Sequence, residues 1–313
     1  MSGTSLAVDI AGIKLANPVI VASGTIGYGR EFSRIQDFDH QAPGAIVLKT
    51  VTLDPWEGNP PPRIAETPSG MLNSIGLQNP GVREFVKHIL PGLRGYGPKV
   101  IANIAGHSLH EYALVAGEIS AAPDADVLSA IEVNISCPNV HKGGMAFGSH
   151  PETADLVISG VRKATTLPII AKLTPVAADI TEVAKACIEA GADALSLINT
   201  LPGMVIDTRT RRPLLGHRTG GLSGPAIRPV AVLMVHRVYQ VAKRTGIPVI
   251  GMGGISNADD ALQFILAGAS AIGVGTALFW NYSVCREIVD GLRQRLEQEG
   301  VSSVAELVGA MRE

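Results

Sequence analysis

The sequence predicts an α/β chain that closes into a (β/α)8 barrel of the TIM type, with long active-site loops at its C-terminal face. Three observations lead there. Eight short apolar runs recur along the chain, helical stretches separate them, and 313 residues are enough for such a barrel with extended loops. The runs lie at 19–22, 45–49, 100–104, 131–135, 169–173, 194–198, 249–252 and 271–274. Each is apolar nearly throughout, as a parallel strand buried on both faces must be, and Gly, Pro, Asn, Ser or Thr follows before the next helix. Helices are predicted at 81–90, 109–120, 151–165, 177–190, 225–245, 258–267 and 278–299, with a short tail helix near 304–311. Ser108, His150 with Pro151, and Ser256 stand where caps or first-turn residues belong. The reading is one domain over residues 1–313; a doubly wound open sheet is the competing architecture.

Composition narrows the function classes. A hydrophobic fraction of 46% provides for a sizeable core, and 26 Lys plus Arg against 28 Asp plus Glu advertise no polyelectrolyte partner. Cys137, Cys187 and Cys285 are too few and too scattered for a disulfide framework, and no C-x-x-C spacing exists to hold zinc or an iron–sulfur cluster. The opening residues read as neither export signal nor transit peptide, and no apolar run reaches the roughly 20 residues of a spanning helix. A cytoplasmic, reducing setting is expected.

Two connections are far longer than the usual few residues. Residues 50–99 carry Asn59-Pro60-Pro61-Pro62-Arg63 and then 70–81, GMLNSIGLQNPG; residues 199–224 carry Arg209, Arg211 and Arg212 and a Gly-rich close. Loops of this length in a compact domain are usually functional, and in a barrel both belong over the mouth.

The chemistry concentrates at strand ends. Gly251-Met252-Gly253-Gly254 and Gly273-Val274-Gly275-Thr276 each run into a helix, so bare N–H groups and a helix N-terminus face one spot, which suits a phosphate dianion. The plainer reading is that these glycines only make tight turns. Lys49 and Lys172 end apolar strands, where an ammonium needs an anion or the wet mouth of the barrel; snorkelling to solvent is the alternative for either one alone. Asn73, Asn103, Asn134 and Asn199 also fall at strand ends, and several converging amides suit a flat heterocycle with imide-like edges, such as a pyrimidine; singly, each is explained as a turn or cap. Cys137, in Asn134-Ile135-Ser136-Cys137-Pro138-Asn139, is the cysteine placed to react, as a base whose unperturbed pKa is about 8.5. Cys187 and Cys285 fall in helical stretches and read as small core residues. The segment 140–148, VHKGGMAFG, has glycines at both flanks and reads as a lid or a plain surface loop. His141 lacks the Ser and Asp partners of a hydrolytic triad.

Together these motifs resemble the class 1 dihydroorotate dehydrogenases, specifically the catalytic, FMN-binding subunit of class 1B. The resemblance runs the length of the chain: Asn17-Pro18, Ala22-Ser23-Gly24-Thr25, Gly27-Tyr28-Gly29, Lys49-Thr50, Glu57-Gly58-Asn59-Pro60-Pro61-Pro62-Arg63, Asn73 to Gly81, Asn134 to Asn139, Lys172, Asn199-Thr200, Gly220 to Pro225 and the two glycine turns. It implies one FMN across the barrel mouth, its phosphate on Gly253, Gly254, Gly275 and Thr276 with Gly224 close by. Ser23, Thr50, Asn103, Asn134, Lys172 and Ile198 would line the rest of the cofactor. Lys172 would stabilise the anion formed when the flavin gains hydride. Lys49 would touch both flavin and substrate carboxylate, while Asn73, Gly76, Leu77, Asn134, Asn199 and Thr200, joined by Ser74 and Ile75, would hold the pyrimidine ring. Cys137 would take the C5 proton of dihydroorotate as hydride leaves C6 for flavin N5, giving orotate in de novo pyrimidine (UMP) biosynthesis.

Class 1B further implies a partner subunit carrying FAD and a 2Fe–2S cluster, delivering electrons to NAD from a heterotetramer built on a homodimer of this chain. The strings at 57–63, 203–207 and 141–144 look like 1B, although His141-Lys142 reverses the expected order and Met145 stands where Gln is common. The alternatives are a fumarate-dependent, class 1A-like enzyme and a uracil or thymine reductase resembling the pyrimidine-reducing domain of dihydropyrimidine dehydrogenase. A barrel that has lost catalysis and serves as a scaffold is the reading from a different class.

Overall fold

Strands buried on both faces must divide their side chains between two apolar environments with a period of two, and the eight runs do so in a closed barrel. The computed structural model describes residues 4–32, 35, 39–135 and 147–312. In chain order its barrel strands are Val19–Val21, Ala45–Val47, Lys99–Ile104, Leu128–Asn134, Ile169–Lys172, Ala194–Leu197, Val249–Met252 and Ala271–Val274. Each pairs in parallel with the next, and the eighth pairs with the first through Gly273↔Ile20. That last ladder removes both sheet edges and decides against the open sheet.

Alternation sorts the core. Ile20, Ala45, Ile101, Ala130, Ile170, Ala194, Ile250 and Ala271 form one buried cluster with Ile10, Ile13 and Leu15. The last three belong to an antiparallel hairpin, Val8–Ile10 with Ile13–Leu15, which plugs the N-terminal end of the barrel and which the sequence reading did not foresee. Val19, Val21, Ile46, Val100, Val133 and Leu195 sit in the other cluster, packed under the helices.

The helices follow expectation at Leu109–Ser120 and Ala258–Ala267 and shift by a few residues elsewhere. Ser108 caps as expected, its Oγ accepting from Glu111 N. Asn257, and not Ser256, caps the helix after the seventh strand, accepting from Asp260 N at 2.8 Å, while the Ser256 hydroxyl donates to Asp260 Oδ2 at 2.7 Å. His150 occupies its cap position without a side-chain cap bond. The helix expected at 278–299 is broken into Thr276–Phe279 and Val284–Glu299, because Asn281 Oδ1 accepts from Ser283 N and offers the backbone a local turn instead. The stretch 81–90 opens with only Val82–Glu84 as α-helix, and the tail is one tight turn, Val304–Leu307.

Over the C-terminal mouth the two long connections pair with each other. Leu201–Gly203, Gly220–Ser223, Gly70–Asn73 and Ile64–Thr67 form an antiparallel sheet in that order, with Gly221 opposite Asn73. Among the described residues no helix is long and apolar enough to cross a membrane.

Candidate active site

Two residues beyond each inward apolar side chain of strands three to six, the same parity delivers a polar one. Ile101 is followed by Asn103, Ala130 by Glu132 and Asn134, Ile170 by Lys172, and Ala194 by Ser196. All five polar residues are buried. Glu132 anchors the layer: Asn103 Nδ2 donates to its Oε1 at 2.6 Å and Ser196 Oγ to its Oε2 at 2.9 Å, while Lys172 Nζ lies 3.5 Å from Oε1. Asn103 Oδ1 is buried without a hydrogen-bond partner among the described residues.

Above this layer opens a cavity of about 630 Å³, well within the size range of small-molecule sites. Its floor carries Lys172, Asn134 and Ile198; one wall is Ser23, Lys49 and Thr50; the loop 73–77 follows a strand of the overlying sheet, and Asn199 with Thr200 link the sixth barrel strand to that sheet. Among the described lining residues the ionisable groups are Lys49, Arg63, Lys172 and His217, and none is a carboxylate. Such a lining favours anionic ligands. Burial pushes the Lys49 ammonium below its ordinary pKa of 10.5; Glu31 opposes that shift and the Arg63 guanidinium adds to it.

The far end of the cavity is lined by Gly224, Gly253, Gly254, Gly275 and Thr276. Gly254 adopts φ +81°, and a Cβ there would stand 2.6 Å from the Gly224 carbonyl oxygen, so only glycine fits. Arg228 braces this corner from behind, with Nη1 2.6 Å from Asp260 Oδ1 and within 3.5 Å of the Gly254 carbonyl.

The loop after Asn73 is held by its own polar groups. Asn59 Nδ2 donates to Ser74 Oγ at 2.8 Å, Asn59 N donates to Ile75 O at 3.0 Å, and Arg63 Nη1 and Nη2 reach Gln78 Oε1 and Glu57 O, both at 2.9 Å. Asn73 Nδ2 donates to Gly221 O at 3.4 Å across the sheet. Tyr112 Oη donates to the Asn134 carbonyl at 2.9 Å, fixing the end of the fourth strand, and Ser23 Oγ donates to Leu48 O at 2.7 Å.

Every described residue expected at the site lines this cavity except Asn103, which lies one layer deeper as a partner of Glu132. Its Nδ2 is held by the Glu132 carboxylate, while its Oδ1 has no hydrogen-bond partner among the described residues. Cys137 and residues 140–146 of the lid segment lie outside the described residues; Gly148 N donates to Ile135 O at 2.8 Å. Cys187 and Cys285 are buried, and burial raises both thiols to about 12, as inert core residues require. Sequence reasoning missed Glu132 and Ser196. The signal was present: a lone acid inside Ile131-Glu132-Val133 mirrors the lone base of the neighbouring strand.

Comparison with known proteins agrees with this geometry. The family model described as dihydroorotate dehydrogenase matches residues 5–296. The chain is 51% identical over 311 residues to a protein of Geotalea uraniireducens, covering 99% of each, named dihydroorotate dehydrogenase B (NAD(+)), catalytic subunit. Proteins of the same name from Desulforudis audaxviator and Alkaliphilus oremlandii are 53% identical over 304 residues and 49% over 311, covering 97% and 99% of this chain and 96% and 100% of those relatives. Matched by the family model over residues 5–296 and by relatives about half identical along nearly the whole chain, the protein belongs to the dihydroorotate dehydrogenase family.

Proposed function

We propose that the chain oxidises dihydroorotate to orotate with FMN in the barrel mouth, and that the electrons reach NAD through a separate subunit carrying FAD and a 2Fe–2S cluster, in a heterotetramer built on a homodimer of this chain. The relatives' names supply NAD and the notion of a catalytic subunit. The observation that carries the reading is the cationic lining of one cavity, matched to two anions, a cofactor phosphate and a substrate carboxylate.

The residues present fit FMN. Gly224, Gly253, Gly254, Gly275 and Thr276 would take the phosphate, since their backbone approaches the cavity bare and a side chain at Gly254 is sterically excluded. Ser23, Lys49, Thr50, Asn134, Lys172 and Ile198 would flank the rest of the cofactor, which when bound supplies a two-electron acceptor for the hydride leaving C6. Lys49 pairs with the substrate carboxylate. The amides of Asn73, Asn134 and Asn199, the Thr200 hydroxyl and the backbone of Ser74, Ile75, Gly76 and Leu77 orient the ring by hydrogen bonds. Cys137, as thiolate, takes the C5 proton; C5 loses that proton, C6 loses hydride, and the C5–C6 double bond forms.

Electron delivery tests the reading first. The purified chain, loaded with FMN, is expected to oxidise dihydroorotate rapidly with an artificial acceptor and to reduce NAD poorly until its partner is added. Robust NAD reduction by the chain alone overturns the division of labour, and fumarate as the efficient acceptor points to the class 1A-like enzyme.

Lys49 carries a second expectation. Binding the carboxylate needs the ammonium form, which is lost as pH rises through the lysine's pKa. Burial lowers that pKa, so the alkaline limb of kcat/KM should have its midpoint below 10.5. Lys49→Met should remove the limb and raise KM for dihydroorotate about 30-fold, the equivalent of about 2 kcal/mol for losing a charged partner. Dihydrouracil, which has no carboxylate, should be turned over poorly by wild type and be little changed by the substitution. Equal turnover of the two substrates by wild type argues for a uracil or thymine reductase.

A further inference from the structure

We propose that Glu132 is a positioning residue for the redox reaction, holding the Lys172 ammonium at the cavity floor and offsetting part of the positive charge it presents to the cofactor. The proposal rests on the reading that FMN occupies the cavity.

The geometry is specific. Glu132 is 1% exposed, inside the barrel, and does not line the cavity, whereas Lys172 does. Both carboxylate oxygens are occupied by neutral donors, Asn103 Nδ2 at 2.6 Å and Ser196 Oγ at 2.9 Å, and the ammonium stands off at 3.5 Å. The carboxylate is thus pinned from the third and sixth strands, independently of Lys172. Lys172 is steered by a fixed negative charge on one side and keeps N–H groups for the cavity on the other.

Stability does not require this arrangement. A buried ion pair generally gains little over well-packed apolar residues, and the layer immediately below is apolar, with Ile101, Ala130, Ile170 and Ala194 at the same parity. What an acid does here that a Leu cannot is set the field at the floor. A flavin that accepts hydride becomes anionic, so an unopposed ammonium stabilises the reduced form and a neighbouring carboxylate reduces that bias.

Glu132→Gln keeps the size of the side chain and an acceptor for Asn103 and Lys172 while removing the charge. The equilibrium between bound oxidised and reduced FMN, measured against a reference dye, should shift about tenfold toward reduced, a rise of about 30 mV for two electrons. Ser196→Ala keeps the charge and removes one donor that shields it, so the same equilibrium should move several-fold toward oxidised. In a Lys172→Met background both shifts should shrink sharply, because a buried carboxylate deprived of its ammonium is driven toward the neutral form and loses the charge on which both variants act. A merely structural role moves both variants in one direction or neither, and does not depend on Lys172. The proposal is overturned if the foldable variants stay within twofold of wild type, or if their shifts persist undiminished without Lys172. Should Glu132→Gln fail to fold, Ser196→Ala in the two backgrounds decides the matter alone. Wild-type protein that takes up no FMN sinks the functional reading and this proposal together, whereas FMN-loaded, active wild type with unresponsive variants sinks this proposal only.

Discussion

Cys137→Ala is expected to leave the protein yellow and to lower the rate of orotate formation at least about 100-fold, the usual minimum for losing a positioned general base. Proton abstraction from C5 needs a group that can be both unprotonated and close. The described cavity lining holds two lysines, an arginine and a histidine, and no carboxylate. Cys137 follows Asn134, a lining residue, by three positions in the chain. FMN content is read from the visible spectrum and turnover from orotate absorbance, so loss of the base is separated from loss of the cofactor. A variant that retains turnover within a few-fold of wild type removes Cys137 from the mechanism.

Gly254→Ala should yield protein that loses FMN on gel filtration, with affinity weakened about 100-fold, or about 2.7 kcal/mol. Two costs add. The residue sits at φ +81°, a conformation that costs a residue with a Cβ of order 1–2 kcal/mol, and the new methyl group meets the Gly224 carbonyl at 2.6 Å. Both atoms belong to the cup, so relief by movement deforms the surface that would hold the phosphate. Gly246→Ala is the comparison: it has φ +72° and nothing within 4 Å of the new Cβ. It should lose about 1 kcal/mol of stability while keeping its full complement of FMN. Equal FMN content in the two variants would mean that the glycine cup does not hold the cofactor.

The eight strands were legible because each is an uninterrupted apolar run closed by a turn residue, a local signal that burial on two faces imposes on any such strand. The glycine turns and Lys172 were legible for a related reason: glycines in tandem, and a charge inside Ile169-Ile170-Ala171-Lys172, violate the local pattern and call for an explanation at the site. Asn103 was legible as a strand-end amide but its contact with Glu132 was not, because sequence position identifies a strand end without fixing its height in the barrel. Its depth follows from the register Asn103↔Glu132, with Glu132 level with Ile170 on the next strand. The plug hairpin escaped notice because three-residue strands carry too little periodicity to stand out.

By itself the sequence determined the strand count, the residue types at the strand ends and the family, since all three are written in short contiguous motifs. The tertiary structure alone decided closure, through the ladder between the first and last strands, and the pairing of Gly70–Asn73 with Gly220–Ser223 across about 150 residues of chain. It alone brought Glu132, Ser196 and Asn103 to the underside of Lys172. These are contacts between residues distant in the chain, set by barrel register and side-chain parity, and no local window contains either partner's information about the other.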